Sequence, residues 1–117
     1  EAAATVRALE EQTRGQRDTI IADLNKARRG WDVSLERVEA STINLETARA
    51  KTAEAQSLWR AGRGLYTDLT QAWADEATAR RQLAAARFEL IASLTTIQKI
   101  LGDSTLGEDP SSDRSRP

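Results

Sequence analysis

Apolar and small residues recur along this chain at steps of three and four for most of its length. In the first half they are Ile20, Leu24, Ala27, Trp31, Leu35, Val38, Thr42, Leu45, Ala48, Thr52, Ala55 and Trp59. In the second half they are Leu69, Ala72, Ala79, Leu83, Ala86, Leu90, Leu94, Ile97 and Leu101, with Glu76 at the same spacing. Such spacing places one narrow stripe along a helix, the seam of a coiled coil, and two stripes can face each other across a turn. The pattern predicts a helix over about 2–60, a turn over 61–67 and a second helix over about 68–101. At about 1.5 Å per residue the first helix would extend roughly 90 Å. A compact domain of this length has a radius of gyration near 13 Å, so a straight hairpin is too slender to be a globule and needs partners.

A few apolar residues lie off these stripes: Val33, Ile43, Trp73, Phe88, Ile91 and Ile100. They give each helix a second, weaker edge, as expected of a helix with neighbours on both sides in a single-layer wall. Trp31, Trp59 and Trp73 are assigned to the seams or to the hairpin neck. Gly15 and Gly30 fall inside the first helix at a cost of about 1 kcal/mol each relative to alanine. They are read as tolerated surface glycines or as points of bending or close approach.

The turn is written in its residues. Gly62 and Gly64 supply backbone freedom, and Thr67 or Asp68 can cap the second helix by accepting orphan amide bonds. Asp68 with Gln71 three residues later approximates a capping box. At the far end Gly102 is expected to cap the second helix, with Lys99 near the negative end of its dipole. Residues 103–117 are rich in Ser, Asp and Pro, hold both prolines of the chain, and are expected to form a disordered tail.

Composition narrows the class to all-α. Hydrophobic residues make up 39% and charged residues 30%, with one Phe, one Tyr and three Trp, enough for narrow seams but not for a thick core. Seventeen basic and eighteen acidic residues are interspersed along the sequence, so no one-sided field invites nucleic acid or an anionic membrane. With no Cys and no His, thiol catalysis, disulfides and the usual zinc sites are excluded, and no metal or cofactor is expected. No stretch is apolar enough for a membrane helix, no leader is legible at Glu1, and barrel-type alternating strands do not occur. Scattered carboxylates such as Glu36, Glu39, Glu46, Asp75, Glu76 and Glu89 sit near Arg and Lys, which reads as solvated ion pairing rather than as an enzyme.

One order of residues is more specific. Leu58-Trp59-Arg60-Ala61-Gly62, then Asp68-Leu69, Gln71-Ala72, Ala85-Ala86-Arg87-Phe88-Glu89-Leu90 and Ile100-Leu101-Gly102 resembles the outer-membrane factor (TolC-like) family over roughly Ile20 to Gly102. The resemblance implies a segment of an α-helical barrel: one periplasmic hairpin of a trimeric channel for efflux or type I secretion in the Gram-negative outer membrane. It implies no membrane contact except through a barrel portion that is not in this sequence, so the chain is either a segment of a longer protein or has lost that part. The residues Gly62, Arg63, Gly64, Leu65, Tyr66, Thr67 and Asp68 would form the tip that docks a periplasmic adaptor and, through it, an inner-membrane transporter. Arg60, Arg63, Asp68 and Gln71 would be gate candidates. Some relatives carry a second acidic residue where Gln71 stands, and a basic residue in the turn where Gly64 stands. The alternative is a coiled-coil interaction module, such as an adaptor hairpin or a generic helical scaffold.

Overall fold

The computed structural model describes residues 1–108. Two helices, α1 (Ala2–Arg60) and α2 (Tyr66–Glu108), are joined by a five-residue turn, Ala61–Leu65, in an antiparallel helical hairpin. The chain divides into two compact units, one containing Glu1–Trp31 and the chain from Ser93 on, the other formed by Asp32–Ala92. No strand occurs among the described residues.

In Asp32–Ala92, Leu45, Ala48, Ala79 and Leu83 form a buried cluster with Val38 packed on it, and Leu69 and Ala86 are buried along the same seam. The seam runs through Ser34, Val38, Ser41, Leu45, Ala48, Thr52 and Ala55 of α1 and Leu69, Ala72, Glu76, Ala79, Leu83, Ala86 and Leu90 of α2, all buried or half-buried, with Thr42, Gln56 and Thr70 half-buried beside it. Steps of three and four alternate strictly in both, which is the repeat that keeps a seam facing its partner under left-handed supercoiling. Every second covered position is small: Ser34, Ser41, Ala48 and Ala55 on α1, and Ala72, Ala79 and Ala86 on α2. Small side chains let two helices approach closely, since interaxial distance follows the residues at the contact. The Thr52 hydroxyl reports that closeness, because its Oγ1 lies 3.0 Å from the Ala48 carbonyl of its own helix and 3.2 Å from the Ala72 carbonyl across the seam.

The strict repeat corrects the sequence reading at several points. Ser34 and Ser41 are buried, whereas Leu35 is exposed and Thr42 only half-buried, because register rather than hydrophobicity decides which residue meets the partner. For the same reason Ser93 and Ile100 are half-buried while Leu94 and Leu101 are exposed, so Ile100 belongs to the seam stripe. Trp59 and Trp73 are both exposed by more than two fifths and fill no seam. Glu76, an acid on the seam, is held by Arg80 of its own helix at 2.9 Å and by Arg49 across it at 3.8 Å. A second cross-helix ion pair joins Arg37 to Glu89.

Helix ends also differ from expectation. The second helix begins at Tyr66, two residues before the expected start, so Thr67 and Asp68 lie within its first turn instead of capping it. It also continues through Gly102 to Glu108, correcting an end at 101 and a tail from 103. Gly102 does not take the left-handed conformation a glycine cap needs, and no proline intervenes before position 110 to stop the helix. The remainder of the expected tail, 109–117, lies outside the described residues. No close approach occurs at Gly15 or Gly30, where an added Cβ would meet nothing within 4 Å.

Charge is sorted by face in Asp32–Ala92. Turned away from the seam, α1 exposes Val33, Ala40, Ile43 and Ala50 among the carboxylates of Asp32, Glu36, Glu39, Glu46 and Glu54. The corresponding face of α2 exposes Ala74, Ala77, Ala84, Ala85 and Phe88 around Arg81, while Arg80 and Arg87 lie on the flank beside the seam. The α1 face holds no base between 32 and 57 and the α2 face no acid between 70 and 90, although the linear sequence mixes both signs.

In the other unit, residues 1–19 of α1 are exposed throughout, including Val6 and Leu9. Ile20, Leu24 and Ala27 are half-buried, as are Ile97 and Ile100 of α2. No helix among the described residues is long and apolar enough to cross a membrane.

Candidate functional site: the hairpin tip

The turn is built from the backbone outward. Gly62 has φ +73°, a left-handed conformation in which a side chain is strained. Its amide donates to the Trp59 carbonyl at 3.0 Å, and the Arg63 amide donates to the Leu58 carbonyl at 2.9 Å. These two bonds are the Schellman ending of a helix, with Gly62 at the position that favours glycine. Gly64 adds a third bond, its amide also reaching the Leu58 carbonyl at 3.1 Å. A Cβ on Gly64 would lie 3.1 Å from both the Leu58 Cβ and the Trp59 nitrogen, so a side chain there would need those neighbours to give by a few tenths of an ångström. That contact is a physical reason for glycine at the position where the resemblance implies a basic residue.

The Leu65 carbonyl then starts α2, accepting from the Asp68 and Leu69 amides at 3.2 and 3.3 Å. Asp68 sits in the first turn of the helix, where the dipole favours a carboxylate. No capping box forms with Gln71, whose Nε2 donates instead to Asp75 Oδ1 at 2.9 Å. The Trp59 and Tyr66 rings close the neck, with centroids 5.4 Å apart and planes tilted by 57°. Both remain about half exposed, at 45% and 56%. Aromatic pairs at this separation and tilt are favoured by their quadrupoles.

A groove of about 460 Å³ runs from the tip along one flank of the hairpin. Its floor is apolar, with Ala48, Ala55, Leu58, Leu65 and Ala72, and its walls carry Asn44, Thr47, Lys51, Glu54, Asp68, Gln71 and Asp75. Three carboxylates against one ammonium make it acidic.

Of the tip residues singled out in the sequence, the structure gathers Gly64, Leu65, Asp68 and Gln71 on this groove. Gly62, Arg63, Tyr66 and Thr67 lie on the turn beside it, as does Arg60 at the end of α1. Thr67 accepts a bond from the Thr70 hydroxyl at 3.0 Å through its carbonyl. The side chains of Arg60, Arg63 and Asp68 make no hydrogen bond or ion pair among the described residues, and all three are exposed. Sequence reasoning missed Lys51, Leu58 and Asp75 as groove residues. A signal was present: Asp75 lies seven residues after Asp68, and Leu58 seven after Lys51, so each pair shares a flank of its helix.

Among the described residues no group of three potential metal-ligating side chains comes together. In comparisons with protein-family models, curated proteins and solved structures, nothing matches this chain.

Proposed function

We propose that this hairpin is a periplasmic tunnel segment of a trimeric outer-membrane channel for efflux or type I secretion. Its tip docks a periplasmic adaptor, which connects it to an inner-membrane transporter, and it controls passage at the closable end. The supporting observation is the division of labour at the turn. The backbone there is satisfied by its own hydrogen bonds, while the charged side chains of Arg60, Arg63 and Asp68 remain uncommitted beside an acidic, apolar-floored groove. A latch built from exposed ion pairs between neighbouring copies holds only about 0 to 1 kcal/mol per pair. A partner that prefers the open arrangement therefore needs only modest differential binding to release it. The sequence resemblance over Ile20–Gly102 supplies the direction of this reading, and the groove beside the tip supports it.

A photo-reactive amino acid at Leu65, introduced in cells, is expected to cross-link a periplasmic adaptor. Recovery of the chain in the cytosolic fraction, or cross-links only to cytosolic proteins, would overturn the reading in favour of a general coiled-coil interaction module. In the assembled channel, Arg63→Ala with Asp68→Ala is expected to raise single-channel conductance. Unchanged conductance would remove these residues from the gate.

A further inference from the structure

We propose that the end of the hairpin is a lipid-contact surface, placing Trp59, Leu65 and Tyr66 in the headgroup layer of an anionic bilayer with Arg60 and Arg63 against its phosphates. The inference goes beyond the channel reading and does not depend on it. Acids and bases balance over the whole chain, but the thirteen residues between Glu54 and Asp68 hold two arginines and no acid. The same stretch exposes four large apolar side chains, Leu58, Trp59, Tyr66 and, at 67%, Leu65. They form one patch, since Leu58 and Leu65 share the groove floor and the Trp59 and Tyr66 rings lie 5.4 Å apart.

The occupant is set by the chemistry of the patch. Trp and Tyr suit a membrane–water boundary, because each has an apolar ring and a polar atom that keeps its hydrogen bond to water. Arginine offers phosphate a bidentate partner, and neither Arg60 nor Arg63 makes an ion pair among the described residues. Guanidiniums at the rim of an aromatic patch match a phosphate layer over hydrocarbon. The backbone is suited to the same contact, since an amide without a partner is costly once water is withdrawn. At this turn the amides of Ala61, Gly62, Arg63 and Gly64 all donate internally, to the carbonyls of Ser57, Trp59 and Leu58. Glu54 on α1 and Asp68 on α2, the first acids on either side, oppose deeper entry, so the contact is confined to the interface.

Vesicles of phosphatidylcholine, alone or with about one third phosphatidylglycerol, provide the test. The unmodified chain is expected to co-sediment with them, about fivefold more tightly with the anionic ones, given one net positive charge from Arg60, Arg63 and Asp68. Trp31→Phe with Trp73→Phe leaves Trp59 as the reporter, whose emission should shift to the blue on vesicle addition. Trp59→Phe with Trp73→Phe reports Trp31 on the stem and should not shift. Leu65→Gln should weaken binding about tenfold. Arg60→Gln with Arg63→Gln should remove the anionic preference, and circular dichroism checks that each variant is as helical as the unmodified chain. No co-sedimentation, an equal shift at Trp31, or binding unchanged by Leu65→Gln would overturn the proposal and leave a protein pocket as what covers the tip. Adaptor capture at Leu65 without vesicle binding removes this inference alone, whereas vesicle binding without adaptor capture removes the channel reading alone.

Discussion

The seam around Leu45, Ala48, Thr52, Glu76 and Leu83 and the tip between Leu58 and Asp68 are satisfied in opposite ways. Along the seam side chains are consumed: Thr52 shares its hydroxyl between two helices, Glu76 is held by two arginines, and Leu83 is 6% exposed. At the tip the backbone is consumed, by three amide bonds to Trp59 and Leu58, while leucines, aromatics and charges are presented to solvent. The difference teaches that stability and recognition have been separated along the hairpin. Mutations should therefore fall into two classes, those that change unfolding and those that change only binding.

The largest effect is expected in the seam. Leu83→Ala should lower stability by about 2 to 4 kcal/mol, from lost burial and the cavity left behind, as read by urea unfolding followed by circular dichroism. A loss under about 1 kcal/mol would mean that the seam is not what holds Asp32–Ala92 together.

Next comes the turn, where stability depends on the backbone. Gly62→Ala must place a side chain at φ +73° and should cost about 1 to 2 kcal/mol. Gly30→Ala is the contrast, since Gly30 sits inside α1 with open space at its Cβ position and should gain up to about 1 kcal/mol of helix propensity. If both substitutions move the unfolding midpoint the same way, the special role of the turn glycine is lost.

Thr52→Val keeps the shape and removes the shared hydroxyl, for an expected loss of about 1 kcal/mol. A neutral result would mean that the close approach of the helices is held by small residues alone. Arg37→Ala breaks an exposed pair with Glu89, half exposed on either side, and should cost less than about 1 kcal/mol, shrinking further in high salt. The smallest effect belongs to the tip: Arg63→Ala should leave stability within about 0.5 kcal/mol while weakening cross-linking of the adaptor at Leu65. Destabilisation by more than that would show that the tip side chains serve the fold as well.

The two helices and the position of the turn were legible because each is a local property. Alternating steps of three and four announce a helix with one covered stripe, and Gly62 with Gly64 announces a reversal. The details that failed were those settled by a facing surface. Leu35 looked like a seam residue and Ser34 did not, yet the strict repeat turns Ser34 inward. Gly102 looked like a helix end, but a glycine stops a helix only if its backbone adopts the left-handed turn, which composition does not reveal. Within the candidate site, Asp68 and Gln71 could be picked out near the turn. Asp75, one heptad after Asp68 on the same helix, was within reach of the pattern, but their grouping with Lys51 and Leu58 was not, because those residues approach only when the second helix runs back along the first.

By itself, then, the sequence determined the all-α class, the hairpin and its point of reversal, since helix periodicity and glycine conformation act over a few residues. Only the tertiary structure decided which of two adjacent residues is buried and where the acidic groove runs. It also decided that the charges on the outer face of α1 between 32 and 57 are all acidic. Angular position around a helix relative to a partner is set by packing between distant segments, and no local pattern encodes it.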